Sequence, residues 1–150
     1  MNDFTRYETP KDRINEREIG DEVGRVTGLD VVSTSKGCPW DFECYEGGKM
    51  VAILEAKDRS TVRFGQYEDI IIDTKKWSNC VIKAAESGSI PFWYAVRYED
   101  GIGMTDSHIP LPVRSSMQCH KKRGSNVPVL GIASKNFQRL SWFEFNRQLW

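Results

Sequence analysis

The sequence predicts an α/β fold, a central mixed β-sheet flanked by α-helices on both sides, and three observations carry that expectation. The run Val51-Ala52-Ile53-Leu54-Glu55-Ala56-Lys57 is apolar over four residues and then charged, as in a buried strand that ends at the sheet's rim. Residues 91–98, PFWYAVRY, have the aromatic and β-branched content of a central strand. Two helical segments, residues 11–27 and 74–87, are interleaved with these strands. With 150 residues, 39% of them hydrophobic and five tryptophans, the chain is sized for a single domain over residues 1–150 with a real core.

Residues 11–27 place Ile14, Ile19, Val23 and Val26 at loosely helical spacing, with Asp12 or Thr9 near the start and Gly28 as the stop. Gly20 and Gly24 weaken this helix, each by about 1 kcal/mol relative to Ala. Asp30 to Ser33 reads as a short extended piece, followed by the loop Ser35-Lys36-Gly37-Cys38-Pro39-Trp40. Asp41 opens the next strand, and Gly47-Gly48 turns it into the Val51–Lys57 strand. Ile70-Ile71-Ile72 is a buried piece ending at Asp73, which suits the N-cap of the second helix, with Gly88 past its end. Trp77, Val81, Ala84 and Ala85 form that helix's apolar face. Glu99-Asp100-Gly101 then turns the central strand into residues 102–106. The last ten residues, with Trp142, Phe143, Phe145, Leu149 and Trp150, are too apolar for a free tail and should pack on the domain or on a second subunit.

The chemistry concentrates at Asp41, Glu55 and Lys57. Side chains alternate along a strand, so Glu55 and Lys57 project to the same side. Charges that close an apolar strand need a partner, which can be a cation, a phosphate or each other. Whether Asp41 joins them depends on register. A plain two-residue Gly47-Gly48 loop pairs Asp41 with Leu54 and sends the carboxylates to opposite faces; a three-residue turn or one bulge sets Asp41 across from Glu55. The second register is the one expected. Two carboxylates plus substrate phosphate are the usual protein contribution to a Mg²⁺ site, and an adjacent ammonium suits phosphodiester hydrolysis. An ordinary ion pair at a strand end is the bland alternative.

The spacing Asp41, thirteen residues, Glu55-Ala56-Lys57 resembles the PD-(D/E)XK nuclease superfamily, with Trp40 displacing Pro39 from its usual place directly before the aspartate. The resemblance implies a restriction-endonuclease-like core and a metal-dependent DNA endonuclease using Mg²⁺ or Mn²⁺, with Asp41 and Glu55 as metal ligands and Lys57 as a catalytic ammonium. It also implies that a glutamate of the first helix reaches the metal through water. Glu22 is the candidate, with Glu18 second; a solvated acidic face explains both equally well. The C-terminal half is similar to small phage proteins with this core, so homing, restriction-like and phage recombination roles are open. The alternatives are a structure-selective Holliday junction resolvase and a noncatalytic DNA-binding protein on the same fold.

DNA contacts are expected from Lys36 in the loop before Asp41, from Arg59, Arg63 and Gln66 in the polar stretch after Lys57, and from Lys75 and Lys76 at a helix start that attracts anions. The dense basic run Lys121-Lys122-Arg123 completes the set. Solvated loops predict the same composition. A net charge of zero and a pI near 6.7 argue against very tight nonspecific binding but leave a local basic face open. The sequence lacks both an apolar run of about 18 residues and a signal core, so a cytoplasmic protein, in the host if phage-encoded, is expected. Its four cysteines lack C-x-x-C spacing and read as free thiols. One chain of this size carries one site and two strands need two, so a homodimer or higher symmetric oligomer is expected.

Overall fold

The computed structural model describes residues 10–35, 37–108, 113–120, 125–134 and 137–140. Helix α1 (Pro10–Thr27) opens this part of the chain, followed by strands β1 (Asp30–Ser33), β2 (Phe42–Glu46), β3 (Lys49–Arg59) and β4 (Asp69–Asp73). Helix α2 (Thr74–Glu86) comes next, then β5 (Phe92–Tyr98), β6 (Gly101–Asp106), β7 (Val113–His120), β8 (Ser125–Ala133) and β9 (Gln138–Arg139). Six strands form a mixed sheet in the order β1-β2-β3-β5-β6-β9, with β3 and β5 parallel at its centre. The observed class is the expected one, α/β with a central mixed sheet.

The expected helices on both faces are present, and a second sheet joins one of them. Helix α1 packs one face, where Ile19, Val23, Phe42, Leu54, Trp93 and Met104 form the core. The opposite face is covered by α2 together with a second, three-stranded sheet in the order β4-β8-β7. Short runs such as Ile70-Ile71-Ile72 look alike whether they join the main sheet or a separate one, and only pairing with β8 decides it.

Local chemistry explains the helices. Pro10 begins α1, where its missing N–H would be unpaired anyway, and Gly28, with φ +74°, ends it by donating to Gly24 O at 2.9 Å. The two glycines that weaken α1 have a packing reason. A Cβ on Gly20 would stand 2.7 Å from Phe42 Cζ, and one on Gly24 3.2 Å from Leu29 O, so the helix lies close on the sheet only because both lack side chains. In α2, Asp73 Oδ1 accepts from Lys75 N at 2.8 Å and from Lys76 N at 3.2 Å, the expected N-cap.

The β2–β3 hairpin decides the register that matters. Gly47 and Gly48 both have positive φ, +57° and +79°, and make a two-residue turn that pairs Glu46 with Lys49. Beyond it Tyr45 faces Met50 but Cys44 faces Ala52, so Val51 is the extra residue of a β-bulge. Phe42 then faces Leu54. That is the last pair of the ladder, and the bulge gives the hairpin the shifted register expected from sequence; Asp41, one residue before β2, is held against β3 by its N–H, which donates to Leu54 O at 3.2 Å.

Candidate metal and nucleic-acid site

Strand β3 carries two sets of side chains. Ala52, Leu54 and Ala56 face α1, while Ile53 and, by alternation, Glu55 and Lys57 face α2 and the second sheet. Asp41 comes to the Glu55 side through the bulge. Its N–H donates to Leu54 O at 3.2 Å, and its Oδ2 accepts from Ala56 N–H at 2.9 Å, which pins the carboxylate against β3.

Glu55 is only 3% exposed. Its Oε2 forms an ion pair with the Lys76 ammonium from the first turn of α2, while its buried Oε1 has no hydrogen-bond donor among the described residues. Buried carboxylate oxygens rarely go unsatisfied, since each costs roughly 1–3 kcal/mol or more when charged. Asp41 shows the same stress. Burial pushes its carboxyl above the ordinary range, against the opposing pull of Lys76, the Ala56 N–H, Lys57 and a side-chain hydrogen bond with Glu16.

Lys57 is exposed beside this pair, and its charge acts on Asp41. Arg59 is also exposed, two positions on, and its charge acts on Tyr94 and Tyr98, which belong to the α2-facing core. Burial and the nearby acids together leave both tyrosine hydroxyls well above their ordinary range, so they stay protonated donors at neutral pH. The hard oxygen donors, their burial and the unpaired Oε1 fit a small divalent cation. Among the described residues no three His, Cys, Asp or Glu side chains stand close enough to enclose an ion by themselves. A Mg²⁺-type site built from two carboxylates, waters and a phosphate does not need a third.

The first helix supplies a residue that sequence reading missed. Glu22, the expected partner, lies on the exposed surface and pairs with Arg25, whose Nε donates to its Oε2 at 3.0 Å. Glu18 pairs instead with Arg97 at 2.7 Å. Glu16 hydrogen-bonds Asp41. The signal was available: Glu16 precedes Gly20 by four residues and Ile19 by three, so it lies on the helix stripe that meets the sheet, and Glu22 does not.

The expected DNA contacts divide. Arg59, Arg63 and Lys75 are exposed. Gln66 is exposed but its Oε1 accepts from Arg63 N–H at 3.0 Å, so it braces its own turn. Lys76 is half-buried on Glu55. Lys36, Lys121, Lys122, Arg123 and the apolar segment 141–150 lie outside the described residues. No described helix is long and apolar enough to cross a membrane. Cys38, Cys44 and Cys80 are free thiols.

The profile of a family described as "Phage putative PDDEXK endonuclease" matches residues 4–140. The chain belongs to this family. The match takes in the hairpin with Asp41 and Glu55-Ala56-Lys57 as well as both helices. Among solved structures, Hjc, a Holliday junction resolvase from the archaeal hyperthermophile Archaeoglobus fulgidus, is similar with a TM-score of 0.53. That alignment covers 85% of the nuclease-family chain and 97% of the resolvase at 9% identity, a likeness of fold. No curated protein sequence matches.

Proposed function

We propose that the chain is a metal-dependent endonuclease that hydrolyses DNA phosphodiesters, acting as one domain over residues 1–150 in the host cytoplasm. The observation that carries this reading is the bulged hairpin that ties Asp41 to Ala56 N–H, next to buried Glu55, whose Oε1 has no donor among the described residues. Asp41 and Glu55 would hold Mg²⁺ or Mn²⁺. Such an ion, when bound, polarises the scissile phosphate and makes a water acidic enough to attack at neutral pH. The water oxygen forms a new P–O bond as the ester P–O bond breaks.

This chain's own groups prepare that exchange. The Ala56 N–H holds the Asp41 carboxylate in place, and Glu16 fixes it from the helix side. Lys57 orients the attacking water or stabilises the charge gathering on phosphorus. Arg59, Arg63 and Lys75 draw in the DNA backbone, a contribution that weakens with salt. Two copies in a symmetric assembly would cut both strands, and a mass measured in solution tests that.

Fold likeness to a junction-resolving enzyme favours a second reading, a structure-selective Holliday junction resolvase. A noncatalytic DNA-binding protein on this fold is the third. Supercoiled plasmid, linear duplex and a four-way junction, each incubated with Mg²⁺ or Mn²⁺, separate the three. Cleavage lost in Asp41→Asn and Glu55→Gln supports the site, junction-only cleavage supports the second reading, and no cleavage with retained binding supports the third.

A further inference from the structure

We infer that Lys76 is a built-in counter-cation: its ammonium holds the position of the divalent ion at Asp41 and Glu55, and ion binding displaces it. The inference rests on the reading that these carboxylates take an ion.

One cation addresses both acids. Lys76 pairs with Glu55 directly, and it is the strongest of the charges that favour ionised Asp41. An ordinary structural salt bridge would satisfy the carboxylate it buries, but with Lys76 in place Glu55 Oε1 has no donor among the described residues. The neutralisation is therefore incomplete at Glu55, whose Oε1 keeps no donor among the described residues even with the Lys76 ammonium on Oε2. A doubly charged ion with several coordination positions satisfies the same oxygens better.

Release of the ammonium would leave the helix start intact. The Asp73 side chain caps α2 through the Lys75 and Lys76 backbone N–H groups, which stay in place when the lysine side chain swings away. Four methylenes give it reach. Once displaced, it remains at a helix N-terminus, where a substrate phosphate is the natural next partner. Lys75, one residue earlier and exposed, has no such contact with Glu55 and serves as the control.

An internal competitor lowers apparent affinity by the fraction of molecules it leaves competent. If roughly one molecule in ten has Lys76 released, Lys76→Met should bind Mn²⁺ about 10-fold more tightly than wild type. Binding is measured calorimetrically without DNA, on full-length protein. Lys76→Arg, which keeps the charge, should stay within about 3-fold of wild type, and Lys75→Met should not change. In a Mg²⁺ titration of wild type, the ¹⁵N signal of the Lys76 ammonium should shift with the midpoint of ion binding. A purely structural lysine would not move, and that readout survives if Lys76→Met fails to fold.

Unchanged or weaker ion binding in folded Lys76→Met, or a Lys76 signal static through saturation, overturns the inference. If wild type binds no ion, or Glu55→Gln binds as well as wild type, the site reading fails and takes this inference with it. Ion binding lost in Glu55→Gln together with a static Lys76 defeats the counter-cation alone.

Discussion

The two faces of β3 hold charged clusters of opposite character. Toward α1, Arg97 donates from Nε to Asp58 at 3.1 Å, from one terminal nitrogen to Glu18 at 2.7 Å and from the other to Asn15 at 3.3 Å. Partial burial pushes the Asp58 carboxyl up, yet the Arg97 and Ser60 bonds outweigh it and leave it below its ordinary value. The Asp58 bond likewise holds the Arg97 guanidinium above its own. Asp58 and Arg97 each hold the other's charge in place. Toward α2 the balance reverses: burial wins at Asp41 despite two lysines and a backbone N–H, and Glu55 keeps an unsatisfied oxygen. Charges at the first cluster complete the fold, whereas at the second, among the described residues, a buried carboxylate oxygen stays without a donor.

The largest expected effect tests the second cluster directly. Glu55→Gln should reduce single-turnover cleavage of duplex DNA by about 10³-fold or more, since it removes a ligand charge at the developing transition state. Lys57→Ala should cost about 10²–10³-fold in the same assay while the Mn²⁺ midpoint stays within a few-fold, because its role is in chemistry and not in holding the ion. Equal losses of rate and ion binding in both variants would erase the distinction between ligand and ammonium.

Stability should respond in the opposite order. Arg97→Met should destabilise the protein by about 1–3 kcal/mol in urea unfolding, by leaving Asp58 without its cation, yet leave the ion midpoint unchanged. The pH dependences should also be of opposite sign. Asp58, with its folded pKa depressed, contributes stability that is present above its unfolded pKa near 4 and lost as pH falls through the folded value. Asp41, with its folded pKa raised, carries no penalty below about pH 4 and a growing one as pH rises through its folded value. Unfolding curves from acid to neutral pH, without divalent ions, should show Asp41→Asn gaining on wild type as pH rises and Asp58→Asn falling behind it. Parallel curves would mean that the two clusters are alike.

The smallest effects separate the glutamates of α1. Glu16→Gln should slow cleavage by about 10-fold, as expected for a group that positions a ligand. Glu22→Gln should leave cleavage unchanged and shift stability by no more than about 0.5 kcal/mol, because its pair with Arg25 is exposed. A cleavage defect in Glu22→Gln alone would restore the residue first favoured from sequence.

Much of the fold was legible in the sequence. The first helix was expected over residues 11–27 and spans Pro10–Thr27, and the second begins at its expected cap, Asp73. The strand expected at Val51–Lys57 extends over Lys49–Arg59, with Glu55 buried near its end. These are local signals, set by periodicity, capping and turn chemistry. Glu18 and Glu22 share a face by their spacing, but in the structure they pair with Arg97 and Arg25, and it is Glu16, on the stripe that docks on the sheet, that reaches Asp41. Gly20 and Gly24 marked that stripe, but as apparent defects of the helix, since a missing side chain has meaning only beside Phe42 and Leu29.

The amino-acid sequence by itself determined which residue types stand near the hairpin, an acid before β2 and an acid and an ammonium closing β3, because alternation and apolar patterning act over a few residues. It also left two registers for that hairpin, and the Val51 bulge chose between them. Only the tertiary structure brought Lys76 onto Glu55 and Glu16 onto Asp41, across 21 and 25 residues of chain. The reason is physical: a strand sets which way its own side chains point, but which helix lies over them follows from the packing of whole elements, where burial, not spacing, decides what meets.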